Sequence, residues 1–531
     1  MPSLVSTGVV DAAGLAAVLS PRTGAVLERA VGDREFALER GAVTDYRRHV
    51  EVEARDDGRF AVRQHVTYRL PLVFFRWLYG PLTRREMRRL VERPGMPWWL
   101  PAERLDGEAA RTLDTLAVFA LVVGYLVALV PQTFTYVAHG FGVGLADQGV
   151  TLATLRADAL LSLPLVALAD RHGRRRLLVV ALIAACLATA TGALVPSLGA
   201  YTASQLVARG FVNAGFVLLP VLAVEAMPAG ARAWAIGQLV MAGALGGGLA
   251  VALLPLTSTG PGWRLLYVVP LLALPCIGRL GRRLPESRAE RAARHGRVSL
   301  RGHGRRLLLL AAGALLVNAF LLPVAQFQNE FLRVERGFGP GEISLFTLLT
   351  GVPGAIGVLV GGRIADVRGR RLVLAISTGG FAVFTVAAFL SPGAGLWLFA
   401  VVASVVGGAI APTLGAYGPE LFPAAMRGVT SGVLSGFGRA GSVIGLLAMG
   451  FLGAQLGRLS LAVTVLAVGP LLLGVLVLAA YPETAGRSLE ELNPEDADAT
   501  DNQVVEPAEP APAVELPDVS AAAGPAAEAT A

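Results

Sequence analysis

Long apolar stretches alternate with short polar connections between residues 117 and 481. A helix needs about 20 apolar residues to cross the roughly 30 Å hydrocarbon core of a bilayer, and twelve stretches are long enough. They cover residues 117–137, 148–169, 177–196, 200–222, 233–256, 263–281, 306–327, 343–365, 372–391, 395–417, 429–454 and 460–481. Because backbone polar groups cannot remain unpaired in lipid, each stretch is predicted to be a transmembrane helix. The composition agrees, since 54% of the residues are hydrophobic and only 16% are charged.

Residues 1–112 contain no such stretch. Instead, apolar side chains recur at period two on one face, at Phe60, Val62, Val66, Tyr68 and Leu70. Asp57-Gly58 precedes them, and the pattern predicts a β-hairpin. The aromatic sequence LVFFRWLYGPL and the Arg-rich sequence TRREMRRLVER follow. They suit a helical segment that lies against an anionic leaflet; the alternative is a small domain that packs only on itself.

The connections differ in their content of Arg. Those after the second, sixth and eighth stretches contain four, eight and three Arg, whereas residues 138–147 and 392–394 contain none. Arg accumulates in cytoplasmic loops, so we expect both termini and the central connection to be cytoplasmic, in a bacterial inner membrane. No cleaved signal peptide is apparent at the start of the chain.

The segment 482–531 contains twelve Asp or Glu residues against the single Arg487. Beyond about Asn493 it is rich in Ala, Pro and Glu, which is typical of a disordered tail. The chain is therefore predicted to comprise an N-terminal extension, a first bundle, a central loop, a second bundle and a tail, at residues 1–112, 113–281, 282–305, 306–481 and 482–531.

Landmarks of the first six stretches recur in the second six. DRHGRR at 170–175 recurs as DVRGRR at 366–371, and EAMPAGAR at 225–232 recurs as ELFPAAMR at 420–427. Pro285-Glu286 recurs as Pro482-Glu483, and all offsets fall between 195 and 197 residues. Since six is even, the two repeats enter the membrane from the same side. The predicted fold is an all-α membrane protein of twelve helices in two parallel six-helix repeats, with a small hairpin-plus-helix extension.

Residues 113–492 resemble the major facilitator superfamily. DRHGRRR and GGRIADVRGRR resemble the family's motif between spans 2 and 3 and between spans 8 and 9, and PELFPAAMRG resembles its loop between spans 10 and 11. Gly262-Trp263-Arg264, PESR at 285–288 and PETAGRSLEEL at 482–492 resemble the branch of sugar porters and metabolite–proton symporters. The resemblance implies secondary transport. Span 7 lacks the paired Gln typical of sugar porters, so a sugar is not the expected substrate.

The loop motifs are expected to act as cytoplasmic gates. Arg side chains at helix ends can pair with carboxylates and with the negative C-terminal ends of helices, while Gly permits the tight turn. Alternatively, the Arg residues serve only topology. The residues assigned to gating are Asp170, Arg171, Gly173, Arg174, Arg175, Glu225, Arg232, Gly362, Asp366, Gly369, Arg370, Arg371, Glu420 and Arg427.

Four charged residues lie well inside predicted spans, away from the span ends, at Arg156, Asp158, Arg209 and Arg439. A charge at the bilayer centre costs about 3 kcal/mol or more, so such residues usually serve function. Arg156 and Asp158 are two residues apart and point to different sides of a helix. Asp158 is predicted to carry a coupling proton, with Arg209 or Arg156 as its partner; the alternative is a permanent ion pair that fixes helix packing. Other candidate polar residues of the pathway are Gln238, Asn318, Gln326 and Tyr125.

These features favour a proton-coupled symporter of a small polar or anionic metabolite, acting as a monomer. The alternatives are a proton-driven exporter of a small compound and a membrane sensor that uses a transporter fold. No cofactor, metal or nucleic-acid partner is expected. An enzyme is not favoured, because no metal-ligand cluster, phosphate-binding loop or activated nucleophile is recognisable in the sequence.

Overall fold

A computed structural model describes residues 3–71, 73–92, 95–97, 99–101, 103–259, 262–285, 303–423 and 426–485. The described chain forms an N-terminal β-sheet followed by a large bundle of apolar helices. Most of the predicted central loop and the acidic tail from residue 486 lie outside the described residues.

The N-terminal part is a five-stranded antiparallel sheet with the order β1-β5-β4-β3-β2. Its strands are β1 (Ser3–Val10), β2 (Val26–Gly32), β3 (Glu35–Gly41), β4 (Thr44–Ala54) and β5 (Phe60–Arg69). Two helices accompany them, α1 (Ala12–Leu19) and α2 (Arg76–Met87). The predicted hairpin is confirmed as β4 and β5, whose turn has Gly58 at φ +72°. The extension is nevertheless larger than a hairpin and a helix, because it contains three further strands.

A buried ion pair joins two strands of the sheet, and its Arg also contacts the end of α1. Arg48 on β4 donates to Glu28 on β2 at 2.6 Å, and both side chains are at most 1% exposed. Arg48 also donates to the carbonyl oxygens of Val18 and Ser20, at 2.7 and 2.9 Å. Glu28 in turn accepts from the Tyr46 hydroxyl. Each buried charge therefore has several hydrogen-bond partners, as burial of an ion requires.

The helices of the bundle follow from α3 to α19. Their bounds are α3 (Gly107–Phe141), α4 (Leu145–Thr154), α5 (Asp158–His172), α6 (Arg174–Thr191), α7 (Leu198–Ala226), α8 (Arg232–Ala252), α9 (Gly262–Val268), α10 (Leu274–Gly281), α11 (Gly304–Val334), α12 (Pro340–Gly351), α13 (Gly354–Arg368), α14 (Arg370–Leu390), α15 (Ala394–Gly408), α16 (Ile410–Leu421), α17 (Arg427–Leu456), α18 (Leu459–Leu466) and α19 (Val468–Ala480). Short 3₁₀ turns interrupt several spans, including one at Leu155–Ala157 between α4 and α5.

Eleven helices or continuous helix pairs within the described residues are long and apolar enough to cross a membrane. They coincide with all of the predicted spans except the third. At that position the chain does form a helix, α6, but it has only 18 residues and begins with three consecutive Arg residues. The chain is thus a multi-pass membrane protein with about eleven apolar helices, and a twelfth crossing through α6 remains a prediction.

The sequence repeat is visible in the helix packing. The bundle has two halves, α3–α10 and α11–α19, and in each half a glycine allows two helices to touch through their backbones. A Cβ atom on Gly246 of α8 would overlap the Leu121 carbonyl of α3, and one on Gly441 of α17 would overlap the Leu315 carbonyl of α11. The two glycines are 195 residues apart, within the range of the motif offsets. Close backbone approach of this kind is typical of membrane helix interfaces.

The two halves meet at one end of the bundle. There α4 lies against α17, where an added Cβ on Gly149 would be 2.7 Å from the Leu446 carbonyl oxygen. Near it, Asn329 of α11 donates to the carbonyl and side-chain oxygens of Gln132 on α3, at 2.8 and 3.0 Å. We call this the closed end; the opposite end, which carries the Arg-rich connections, is called the open end.

Candidate functional site

A cavity of about 580 Å³ lies between the two halves. Its lining from the second half comes from the first part of α11, from α16 and from the first part of α17, so the cavity extends toward the open end. The side chains that line it include three Arg and one Asp, together with Asn and Ser residues. The polar and charged lining consists of Arg156, Asp158, Arg209, Asn213, Asn318, Ser431, Ser435, Arg439 and Ser442.

Asp158 lies at the centre of this charged group and is 2% exposed. Its Oδ2 accepts a hydrogen bond from Nε of Arg209 on α7 at 3.1 Å. Its Oδ1 accepts one from Nη1 of Arg439 on α17 at 3.0 Å. Arg209 belongs to the same half as Asp158, whereas Arg439 belongs to the other. One carboxylate therefore links the two halves through its two oxygens.

Arg156 lies two residues before Asp158, in the 3₁₀ turn that interrupts the second span. Its Nε is buried and has no hydrogen-bond partner among the described residues. Asp158 has both oxygens engaged by the other two Arg residues. A buried N–H without a partner is uncommon, and here it belongs to a cation that lines the cavity.

Arg439 differs from Arg209 in its access to the cavity. The Arg439 side chain is 44% exposed, compared with 13% for Arg209. Sequence reasoning found Arg439 but missed its neighbours on α17, Ser435 and Ser431, which lie one and two helical turns before it and line the same cavity. Their spacing of four residues in an apolar span is a signal that could have revealed this polar face.

The uncharged candidates are distributed differently. Asn318 lines the cavity and donates to the Ala314 carbonyl oxygen of its own helix at 2.9 Å. The residues that line the cavity include neither Gln238 nor Gln326; Gln238 instead lies beside the Tyr79 hydroxyl. Tyr125 is buried and donates to the Leu266 carbonyl oxygen at 2.8 Å, inside the first half.

A buried carboxylate that sequence reasoning missed lies at the closed end. Glu330 of α11 is 4% exposed. It accepts from the Thr135 hydroxyl and from Gln148 Nε2 at 3.2 Å, and His139 Nε2 is 3.3 Å away. All three partners belong to the first half. The predicted seventh span ended at residue 327, but α11 continues to Val334 and keeps Glu330 on the helix.

The loop motifs at the open end form equivalent contacts in each half. Arg174 pairs with Glu225, and Arg370 pairs with Glu420. The corresponding partners are 196 and 195 residues apart in sequence. Gly173 and Gly369, with φ of +94° and +106°, form the turns before α6 and α14. Both ion pairs join helices of one half, so in this conformation they do not connect the two halves.

Further contacts of the motifs involve helix ends. Arg175 donates to the carbonyl oxygens of Gly281 and Arg282, both at 3.0 Å, at the C-terminal end of α10.

The remaining motif residues have local contacts. Asp366 is 67% exposed and pairs with Arg370 at 3.2 Å. Arg232 Nε is 3.4 Å from the Met227 carbonyl oxygen. Gly362 lies on α13 with only ordinary contacts. The side chains of Asp170, Arg171 and Arg427 lie outside the described part of the structure.

The second repeat has a cap that the sequence motif alone does not reveal. Glu483 accepts hydrogen bonds from the backbone N–H groups of Arg370 and Arg371, at 2.9 and 3.2 Å, and thereby caps the first turn of α14. It also accepts from the backbone N–H groups of Thr484 and Ala485, both at 3.0 Å. Burial works to raise the pKa of Glu483, but the four backbone donors together hold it below its ordinary value.

Comparison with known proteins gives one family. The sequence profile of the Major Facilitator Superfamily matches residues 115–332 and 307–521, which correspond to the two repeats. The comparison with curated protein sequences gives no match.

Solved transporter structures share the fold. The inward-open xylose transporter XylE from E. coli has a TM-score of 0.60 at 16% identity, covering 72% of this chain and 98% of that one. The nucleoside transporter NupG has a TM-score of 0.59 at 14% identity, with 69% and 98% covered. A bacterial homolog of the human lysosomal transporter Spinster, inward-facing and unoccupied, has a TM-score of 0.57 at 17% identity, with 70% and 95% covered. At these identities the similarity shows the fold alone.

Proposed function

Because the chain belongs to the Major Facilitator Superfamily, a family of secondary transporters that move small molecules across membranes, we propose that it is a proton-coupled symporter of a small anionic metabolite. The observation that carries this proposal is the arrangement around Asp158. A single buried carboxylate accepts one hydrogen bond from an Arg of each half, inside a cavity that also contains the unpartnered Nε of Arg156.

The charges in the cavity favour an anionic substrate. Three Arg and one Asp give the four side chains a net charge of +2. Protonation of Asp158 raises this charge to +3, and a bound monovalent anion returns it to +2. Simultaneous movement of a proton and such an anion therefore leaves the charge of the site unchanged. Since charge in a low-dielectric environment is costly, this balance favours the two ions travelling together.

Protonation also changes the contact between the halves. A neutral carboxylic acid no longer attracts Arg439, so the link from Asp158 to the second half weakens. Arg439 is 44% exposed and can then bind the carboxylate or phosphate of a substrate. The anion takes the place of Asp158 as the counter-ion, and its release at the other face restores the original pair.

The same geometry supports alternating access. The cavity extends toward the open end, while Glu330 and Asn329 hold the halves together at the closed end. In the proposed cycle the halves rock about the central site, so that closure of one end accompanies opening of the other. The account assigns α6 as a twelfth crossing and the open end, with both termini, to the cytoplasmic side of a bacterial inner membrane.

Flux measurements on the purified full chain in proteoliposomes test the proposal. The probes are a panel of radiolabelled small carboxylates, with labelled xylose as a neutral comparison. We expect an imposed inward proton gradient to drive accumulation of at least one carboxylate. Asp158→Asn is expected to abolish this accumulation but to preserve exchange of labelled for unlabelled substrate, because exchange needs no net proton movement.

The control variant is Asp147→Asn, which removes an exposed carboxylate from the same span. It should accumulate substrate as the wild type does. Full gradient-driven accumulation by Asp158→Asn would refute the role of Asp158. Absence of counterflow for the entire panel would instead favour a sensor, and accumulation only under an outward proton gradient would favour an exporter.

A further inference from the structure

Helix α2 of the N-terminal part has two chemically different faces. Tyr79, Thr83 and Met87 recur every four residues and are at most 5% exposed. On the other side of the helix Trp77, Arg84 and Arg85 are exposed, and Arg76 and Arg88 are exposed at its two ends. Trp77 is 60% exposed, and Val73 just before the helix is 72% exposed. Large apolar side chains at this exposure, surrounded by cations, need a partner that offers both apolar and anionic groups.

The contacts of the buried face set the depth of α2 relative to the membrane. The backbone N–H of Phe74 donates to Asp114 Oδ1 at 2.7 Å, and Asp114 precedes the predicted apolar part of the first span by three residues. The Tyr79 ring lies 5.8 Å from both Trp99 and Trp234. Tyr and Trp concentrate at the level of lipid headgroups, so the start of α2 lies where the helices of the first half enter the membrane.

The charge of the exposed face fits an anionic leaflet. Between Arg76 and Arg88 the chain contains four exposed Arg residues, and the only acidic residue of α2 is Glu86. Both oxygens of Glu86 are occupied by Arg89, at 2.7 and 2.8 Å. The exposed Arg side chains are therefore not neutralised by an acidic residue of their own helix. Clusters of Arg beside a membrane attract anionic lipids, and amphipathic helices insert aromatic residues at the same interface.

We propose that the exposed face of α2 binds anionic phospholipid headgroups of the leaflet at the open end, with Trp77 and Val73 at the acyl boundary and Arg76, Arg84 and Arg88 on the phosphates. The aromatic residues of the segment then divide by role: Phe75 and Tyr79 attach the helix to the protein, and Trp77 faces lipid. This function is independent of the transport cycle proposed above. It fixes the N-terminal sheet to the membrane surface beside the first half.

Quenching of Trp fluorescence by brominated lipids tests this inference on the full chain in nanodiscs. The difference between the wild type and Trp77→Phe isolates the signal of Trp77 from the other Trp residues. We expect brominated phosphatidylglycerol to quench this signal at least about twofold more strongly than brominated phosphatidylcholine at the same mole fraction. Raising the salt concentration should reduce the preference, since exposed charges are screened.

The variant Arg76→Gln/Arg84→Gln/Arg88→Gln should lose the preference. The matched control Arg55→Gln/Arg59→Gln/Arg63→Gln removes the same charge at the β4–β5 hairpin, on the sheet, and should retain it. Equal quenching by the two lipids in the wild type would overturn the proposal, as would a preference that resists salt. A preference that emerges only after removal of residues 493–531 would also overturn it, because the acidic tail would then be the occupant of this face.

Discussion

Asp158 is placed where the loss of its charge would alter contacts in both halves of the molecule. A surface ion pair contributes little, with a median of about 0–1 kcal/mol. Asp158 is 2% exposed and shared between two Arg residues, and removing one partner of a buried pair typically costs about 3–5 kcal/mol. From this difference we expect neutralisation of this one carboxylate to shift the equilibrium between two conformations, and neutralisation of an exposed residue such as Asp366 to leave it unchanged.

At Arg439 the account predicts a loss of substrate affinity. Arg439→Gln removes the exposed cation that binds the anion, and charge-assisted hydrogen bonds contribute about 1.5–3 kcal/mol, so the half-saturating carboxylate concentration should rise at least about tenfold. Arg439→Lys retains the charge but loses the planar fork and should be intermediate. Counterflow in proteoliposomes measures both. Arg458→Gln, in the loop after α17, is the control, and an unchanged affinity in Arg439→Gln would rule out a direct contact.

The charged residues of the site could be predicted from the sequence, but their geometry could not. Arg156, Asp158, Arg209 and Arg439 stand out because a charge in an apolar stretch is rare. The sequence left Arg209 and Arg156 as alternative partners of Asp158, and it gave no indication that Arg439, 281 residues away, shares the same carboxylate. Gln238 and Gln326 were not distinguishable from true lining residues, because their helix faces are set by packing.

Among the elements, α14 depends on a residue from outside its own sequence. Glu483 follows the last span, yet its carboxylate caps the first turn of α14. Glu483→Gln should weaken this cap by about 1 kcal/mol, since caps contribute about 0.5–2 kcal/mol, and should lower the melting temperature at neutral pH. Because the pKa of Glu483 is lowered in the folded protein, its contribution is complete above the ordinary value of 4.5 and is lost as the pH falls through the lower folded value.

Thermal unfolding of the two proteins between pH 7 and pH 3 checks this prediction. The difference between wild type and Glu483→Gln should shrink toward zero at the acidic end. Asp366→Asn is the control, because Asp366 lies near the end of α13, just before the turn into α14, but is 67% exposed and should have little effect at any pH. A stability difference that grew on acidification would contradict the assignment of Glu483 as a charged cap.

The elements themselves were predictable to different degrees. Spans are set by a long apolar run, so their positions were recognisable, and the Asp57-Gly58 turn with its alternating strand gave the β4–β5 hairpin. Strand β1 was missed because its partner β5 is distant in sequence, and β2 and β3, which pair with each other, were missed because they are rich in Glu and Arg. The buried pair of Glu28 with Arg48 is one reason why β2 was not recognised. Two charges inside the sheet disrupt the alternation of buried apolar and exposed polar residues that identifies a strand.

At the scale of the whole molecule, the closed end is held by polar contacts to Glu330. Glu330→Ala removes the acceptor of Thr135 and Gln148, and hydrogen bonds to charged groups contribute about 1.5–3 kcal/mol. We expect the conformation that is open at this end to gain at least about tenfold in population, which accessibility of a cysteine placed at Val143 would report. Glu335→Ala is the matched control, because within the described residues the Glu335 carboxylate accepts hydrogen bonds from Leu459 and Ser460 of its own half. Equal labelling in both variants would exclude Glu330 as a contact that holds this end.

The division into two like halves explains why equivalent contacts occur in both of them. Gly246 and Gly441 fix the packing inside each half, and the pairs Arg174–Glu225 and Arg370–Glu420 repeat it at the open end. What differs between the halves is the site: Asp158 and Arg209 belong to one and Arg439 to the other. Because each half has these internal contacts, we expect movement to concentrate at the interface that Asp158 spans.

Distances between the halves, measured as a function of pH, show directly whether Asp158 controls the balance between the two conformations. Spin labels at Arg176 and Leu372 report the open end, and labels at Ala146 and Leu456 report the closed end, both in a Cys276→Ser background and in lipid nanodiscs. On the proposed mechanism, acidification of the wild type changes the distance at the open end and the distance at the closed end in opposite directions. The same mechanism predicts that Asp158→Asn shows the acidic distance distributions at every pH. A pH response that persists in Asp158→Asn, or two pairs that do not change together, would contradict it.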